Sequence, residues 1–315
     1  MKIVFLGCTK FSEELLDSLI NNSFNISAIF TIPQEFTVRK GEKIKNSNYV
    51  DLKPISEMHD IPLYYVDENK KIGEYEEIIK EINPDIILVL GWYYIVPKKI
   101  REIPIYGACG IHASLLPKYA GWAPLVWAMI NGEKETGVTF FQFDDSVDGG
   151  DIIAQEEFEI EYKDTIKEVY EKATNKSADI LVKTLPILSN IQFIKQDKSK
   201  LEIWDKRTPE DGKINWQHIS IDLYNFIRAQ TLPYPCAFSI INSQTIKIIN
   251  SQIVEIDSTN YKVGEIVLYD DKALVATSDY FLEVGLIDDG KEIQQFKDYA
   301  GANNLWGGVF ESKKS

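Results

Sequence analysis

GACGIHASLLPKYAGWAPLVWAMINGEKETGVTFFQFDDSVDGGDII, residues Gly107 to Ile153, decides how the chain reads. It opens on a run of small residues, Gly107-Ala108-Cys109-Gly110, that leads into His112 and then Ser114-Leu115-Leu116-Pro117. From Pro124 to Asn131 the apolar residues Leu125, Trp127, Ala128 and Met129 suit a helix, and Val138 to Phe143 suits a strand. The turn Val147-Asp148-Gly149-Gly150 follows, then a further strand from Ile152 to Ile160. A strand, helix, strand excursion of this length can return its far end beside its start. His112 and Asp148 can therefore meet at one edge of a sheet. A histidine held by a carboxylate is a general acid/base unit near neutral pH. On spacing alone the alternatives stand beside it: a structural histidine after a strand, and an aspartate that merely forms a turn.

Upstream, Lys2 to Gly7 is a short apolar run ending at glycine, and Phe11, Leu15, Leu16 and Leu19 share one helical face behind Ser12, a candidate N-cap. Ile26 to Ile32 is the next strand. This opening predicts an α/β fold with a parallel sheet. The first turn holds a single glycine and no GxGxxG, so no dinucleotide cofactor is expected. Pro33 to Pro54 reads as a loop carrying the basic cluster Arg39, Lys40, Lys43 and Lys45, either a mobile phosphate-meeting loop or a solvated charge run. Leu63 to Val66 is a strand, Glu74 to Ile82 a helix, and Ile86 to Leu90 the most apolar strand. The aromatic loop Gly91 to Pro97 leaves its C-terminal end, where ligands bind in open α/β sheets.

Downstream, Asp164 is a candidate cap for a helix running toward Leu185, and Lys195 to Lys200 suggests a linker. A helix from about Ile219 to Thr231 precedes short strands and turns from Ser239 to about Phe310, a small β domain. The expected division is a catalytic domain over 1–195, a linker over 196–206 and a C-terminal β domain over 207–315.

The chain has 315 residues, enough for two cores. Its net charge of −14 argues against a broad nucleic-acid-binding face, which needs clustered cations. The three cysteines, Cys8, Cys109 and Cys236, form no CxxC pair, and with three histidines they offer no metal pattern. That usage suits a reducing cytoplasm. Nothing approaches a membrane span or a signal peptide.

His-Ala-Ser-Leu-Leu-Pro-Lys-Tyr from His112, with Ala123-Pro124, Trp127, Asn131-Gly132, Thr136-Gly137-Val138-Thr139 and Asp148-Gly149-Gly150-Asp151, resembles the folate-dependent formyltransferase family. Arg207-Thr208-Pro209-Glu210-Asp211-Gly212-Lys213-Ile214-Asn215-Trp216 resembles that family's inter-domain motif. The resemblance implies a Rossmann-like N-terminal formyltransferase domain and a small open, OB-like β-barrel after it. It makes His112 and Asp148 the catalytic pair and 10-formyltetrahydrofolate the co-substrate. It puts the pterin ring against Leu90, Gly91, Trp92, Tyr93, Tyr94, Ile95, Val96 and Pro97, with Asp148 facing it. Ser114, Tyr119, Trp122, Arg39 and Lys40 are assigned to the acceptor. The family pattern carries Asn two residues before the histidine, where this chain has Gly110. The layout, with Trp122 to Trp127 and Thr184-Leu185-Pro186, looks closest to the nucleotide-sugar N-formyltransferases. The expected acceptor is thus the amine of an amino-sugar nucleotide, with no metal, no membrane and a possible homodimer. The alternatives are formylation of methionyl-tRNA, which the acidic charge fits poorly, and a folate- or sugar-binding relative without catalysis, which Gly110 leaves open.

Overall fold

Continuous apolar runs become the interior of a sheet covered on both faces. Ile3 to Leu6 and Ile86 to Leu88 are all wholly buried. In the computed structural model, which describes residues 1–37, 43–46, 48–67 and 69–313, seven strands form one sheet. They are β1 (Lys2–Leu6), β2 (Asn25–Thr31), β3 (Leu63–Tyr65), β4 (Ile86–Val89), β5 (Ala108–His112), β6 (Glu135–Gln142) and β7 (Ile152–Glu159). Their order is β7-β6-β5-β4-β1-β2-β3. β3, β2, β1, β4 and β5 run parallel, and β6 is antiparallel to β5. The expected mostly parallel α/β sheet is therefore present. Its order reverses between β1 and β4, so the turn after β1 and the loop after β4 flank a switch-point crevice.

Helix α1 (Lys10–Asn21) follows β1 and buries Leu15, Leu16 and Leu19. Its cap is Thr9 rather than Ser12. Thr9 is extended, its hydroxyl accepts the Ser12 N–H, and the Ser12 hydroxyl accepts the Thr9 N–H. This reciprocal box satisfies two orphan donors, and the same Ser12 hydroxyl donates to Leu90 O at 2.5 Å. The polar side chain in the first turn thus ties α1 to the end of β4. The stretch from Pro33 to Pro54 is more ordered than a loop: Glu35–Thr37 pairs with Lys43–Lys45, and a helix spans Lys53–Met58. Arg39 and Lys40 lie outside the described residues.

The chain divides into two compact units that do not follow it in one cut. The first comprises Met1–Gly121, Gly137–Phe158 and Lys172–Ile203, and the second Trp122–Thr136, Glu159–Glu171 and Trp204–Ser315. In the second unit the strands from Ala237 onward form two four-stranded antiparallel sheets. One holds Ala237–Ile241, Gln244–Ile248, Leu286–Asp288 and Ile293–Gln295, and the other Ser251–Asp257, Ile266–Tyr269, Lys272–Ala276 and Tyr280–Val284. Ile246 and Ile287 from the first, Val275 and Leu282 from the second, and Leu223 and Ile227 of helix Ser220–Arg228 share one core with Trp216. Trp216 is fully buried, stacks on Phe310 at 5.5 Å and donates its indole N–H to Ser239 Oγ. Among the described residues no helix is long and apolar enough to cross a membrane, and no group of His, Cys, Asp and Glu is placed to hold a metal ion.

Candidate active site

His112 is the last residue of β5 and is 9% exposed. Its Nε2 lies 2.8 Å from the carbonyl oxygen of Tyr119. A carbonyl only accepts, so Nε2 carries a proton and Nδ1 is the basic nitrogen of the neutral ring. Nδ1 faces Asp148 Oδ2 at 3.6 Å, too far for a direct hydrogen bond. Two acceptors pointing at one another at that distance repel. Two opposite unit charges about 4 Å apart attract by about 1 kcal/mol in water and about 4 near a protein surface, so a charged imidazole beside Asp148 would be favoured where the neutral one is not.

Asp148 is held in place by backbone. Its Oδ2 accepts the Gly121 N–H at 2.8 Å, and its own φ of 50° puts it in the left-handed region, which Asp tolerates better than most residues. Gly150 is required two residues on, because a Cβ there would sit 1.7 Å from the carbonyl oxygen of Gln142. The turn is braced from a distance in sequence. The Gln196 Nε2 donates both of its protons there, to Asp148 O at 2.8 Å and Gly150 O at 2.7 Å. Lys198 pairs with Asp144 at 2.6 Å, and together with the Ser146 hydroxyl and N–H this holds the Asp144 carboxyl below its usual range despite burial, which pushes it up. The polar composition of residues 195–200 carries no signal for this bracing role.

Gly110, also on β5, has no room for a side chain. A Cβ would lie 2.6 and 2.7 Å from two ring carbons of Phe143 and 2.8 Å from Val89 O. The space beside Gly110 is filled by an apolar ring from the same loop that carries Asp148. Phe143 packs on Phe141 with ring centroids 5.1 Å apart.

The aromatic loop after β4 lies against the turn after β1: Cys8 N–H donates to Gly91 O at 3.2 Å. Trp92 and Tyr94 meet edge to face at 6.3 Å, and Phe36 packs on both Tyr93 and Tyr94. Tyr93 donates its hydroxyl to Asn46 Oδ1 at 3.1 Å. Leu90 and Val96 are buried, Ile95 is exposed, and Gly91 and Pro97 are half-buried. The indole N–H of Trp92 is buried and has no acceptor, a cost of about 1–3 kcal/mol unless a ligand supplies one. Burial pushes the Cys8 thiol up to about 12, and it also raises Cys109, so neither is an activated nucleophile.

Of the residues assigned to the acceptor, Ser114 is fully buried and donates its hydroxyl to Lys118 O at 2.7 Å. Tyr119 is buried with φ 54°, and its carbonyl holds His112. Trp122 belongs to the second unit and is exposed. The structure thus brings His112, Asp148, Tyr119 and Gly110 into one neighbourhood through β5 and the loops that follow it. Gln196 and Phe143 join it without any mark in the sequence.

Fold and site together define an α/β protein with a His and Asp pair at the C-terminal end of a sheet strand. A family model described as Formyl transferase matches residues 1–185, and one described as Formyl transferase, C-terminal domain, matches residues 206–304. The methionyl-tRNA formyltransferase of Alkaliphilus oremlandii is 34% identical over 308 residues, covering 97% of each chain. That of Clostridium acetobutylicum is 34% identical over 313 residues, covering 98% of this chain and 99% of the other. Among solved structures, the N-formyltransferase from Helicobacter canadensis in complex with folinic acid and dTDP-3-aminofucose matches with a TM-score of 0.66 at 22% identity, over 90% of this chain and 98% of that one. At that identity the last match speaks to fold alone. The chain belongs to the formyl transferase family, whose members are enzymes.

Proposed function

We propose that this enzyme transfers the formyl group of 10-formyltetrahydrofolate to the amine of an amino-sugar nucleotide. The observation that carries the chemistry is His112, with Nε2 occupied by Tyr119 O and Nδ1 left beside Asp148. The formyl C–N10 bond breaks and an amide C–N bond forms on the acceptor. The acceptor nitrogen gives up its proton to Nδ1, Asp148 balances the imidazolium that results, and the imidazolium returns the proton to the leaving N10, which regenerates neutral His112. The folate ring fits the loop after β4 on chemical grounds. Trp92 and Tyr94 supply flat apolar walls, and the unpartnered Trp92 N–H offers a donor to a heterocycle rich in acceptors. Gly110 supplies no side-chain donor to the formyl oxygen, so oxyanion stabilisation falls to other N–H groups.

The acceptor is argued from charge. A chain at −14 is a poor partner for a polyanion, and the charge weighs less against a small nucleotide because it carries far fewer phosphates. The described Helicobacter canadensis complex shows that a protein of this fold takes a nucleotide-linked amino sugar. A second reading, formylation of methionyl-tRNA, is favoured by the relatives at 34% identity across nearly the whole chain. The deciding experiment offers 10-formyltetrahydrofolate with a panel of amino-sugar nucleotides and, separately, initiator methionyl-tRNA. Formylated sugar is the expected product. Formylated tRNA with no formylated sugar refutes the first reading, and folate binding without any product refutes both.

A further inference from the structure

A cavity of about 580 Å³ lies wholly within the second unit, inside the roughly 300–1,000 Å³ of small-molecule sites. None of its lining residues belongs to the unit that holds His112 and Asp148. Two segments build its polar side. Lys213 and Asn215 line it from one segment, and Lys313 from the other. Backbone holds the two together, since the Lys313 N–H donates to Ile214 O at 2.9 Å. The Lys213 ammonium lies 3.6 Å from Glu311 Oε2, and that of Lys313 lies 3.9 Å from Asp211 Oδ1. Both separations exceed hydrogen-bond reach. Glu311 is exposed, where water screens it, and Asp211 spends its other oxygen on the Thr208 N–H and hydroxyl. Among the described residues neither ammonium makes a hydrogen bond.

Asn215 adds a third donor. Its Oδ1 accepts the Gln217 N–H at 3.2 Å and the Ser312 hydroxyl at 2.7 Å, and that hydroxyl accepts the Trp216 N–H. Those donors fix which end of the amide is oxygen, and Nδ2 has no acceptor among the described residues. The rest of the lining is largely apolar: Leu223 and Phe226, one turn apart on helix Ser220–Arg228, and Ile130. A single carboxylate lines the cavity, Asp222, and it lies 3.9 Å from His218 Nδ1. Two ammoniums without hydrogen bonds suit an anion, and the amide N–H beside them suits one with a second oxygen to offer. The apolar wall suits a hydrocarbon body. We infer that this cavity binds a small organic carboxylate with an aromatic or branched apolar body. Its carboxylate meets Lys213, Lys313 and Asn215, and its body meets Leu223, Phe226 and Ile130.

The test is isothermal titration of the whole protein with 3-phenylpropionate and with 4-methylpentanoate. Separate arms use 3-phenylpropanamide, acetate and inorganic phosphate. At least one of the two carboxylates should bind, and the three other compounds should each bind at least tenfold more weakly than it does. Lys213→Met keeps the stem and removes the charge, and it should weaken that carboxylate at least tenfold with thermal unfolding unchanged. Lys313→Met, at an exposed side chain, should weaken it at least threefold. Asp222→Asn removes the one carboxylate of the lining, so binding should stay as tight or tighten. His112→Asn should bind it within twofold of wild type. Failure of both carboxylates to bind, an amide or phosphate that binds as tightly, indifference to both lysines, or weaker binding in Asp222→Asn would each overturn the assignment. Should formylated product appear while neither carboxylate binds, this site fails and the proposed reaction stands.

Discussion

Replacing Gly110 by Asn restores the residue that the family pattern places two positions before the histidine, and the structure predicts that it harms this enzyme. The new Cβ would meet two Phe143 ring carbons at 2.6 and 2.7 Å and Val89 O at 2.8 Å. The ring can swing, but the carbonyl cannot. Val89 is the partner of Gly110 in the parallel pairing of β4 and β5, so relieving that contact means prising two core strands apart. Overpacking of this kind costs about 1–3 kcal/mol. For a unit of this size each kcal/mol moves Tm by about 2–4 °C. Gly110→Asn should therefore lower Tm by several degrees and lower kcat, because β5 carries His112 two residues on. Phe143→Ala removes the ring clash but leaves Val89 O. The double variant should be less destabilised than the sum of the singles, with a coupling of about 0.5–3 kcal/mol. Calorimetry and steady-state kinetics on the four proteins decide it. An Asn variant with wild-type Tm and raised kcat would refute the steric reasoning and show that the site lacked only a donor.

His112→Asn should cut formyl transfer by more than tenfold with little change in Tm, measured by product formation; retention of over a tenth of the rate removes His112 as the proton acceptor. Asp148→Asn keeps a residue that accepts the left-handed φ of 50°, so a strong fall in kcat there reports the lost charge rather than a distorted turn, and an unchanged rate would leave Asp148 a turn former. Gln196→Ala frees Asp148 O and Gly150 O from their shared donor and should lower kcat while sparing the bulk of the fold; equal rates would mean the turn holds itself. Cys8, with its thiol pushed up to about 12, is about one part in ten thousand thiolate at pH 8. Iodoacetamide should label it only after unfolding, and native labelling near the rate of free cysteine would contradict its burial.

The sequence by itself determined the sheet, the two candidate site residues and the family. Buried parallel strands are written as unbroken apolar runs, as at Lys2 to Gly7 and Ile86 to Leu90, and local periodicity is all that such a reading needs. The His112 and Asp148 turns are likewise marked by short-range composition. The cap of α1 was harder, because Thr9 and Ser12 are both competent caps and only the backbone angles at Thr9 assign the roles. Tertiary structure alone decided which histidine nitrogen is free, since that depends on a main-chain carbonyl whose direction follows from the left-handed Tyr119. It also decided what stands in for the family's Asn. Gly110 and Phe143 are joined by the path of the loop after β6, and Gln196 reaches the Asp148 turn by a route with no local pattern. Contacts of that kind are set by how strands and loops close in space to within a few tenths of an ångström, a quantity that composition and spacing do not carry.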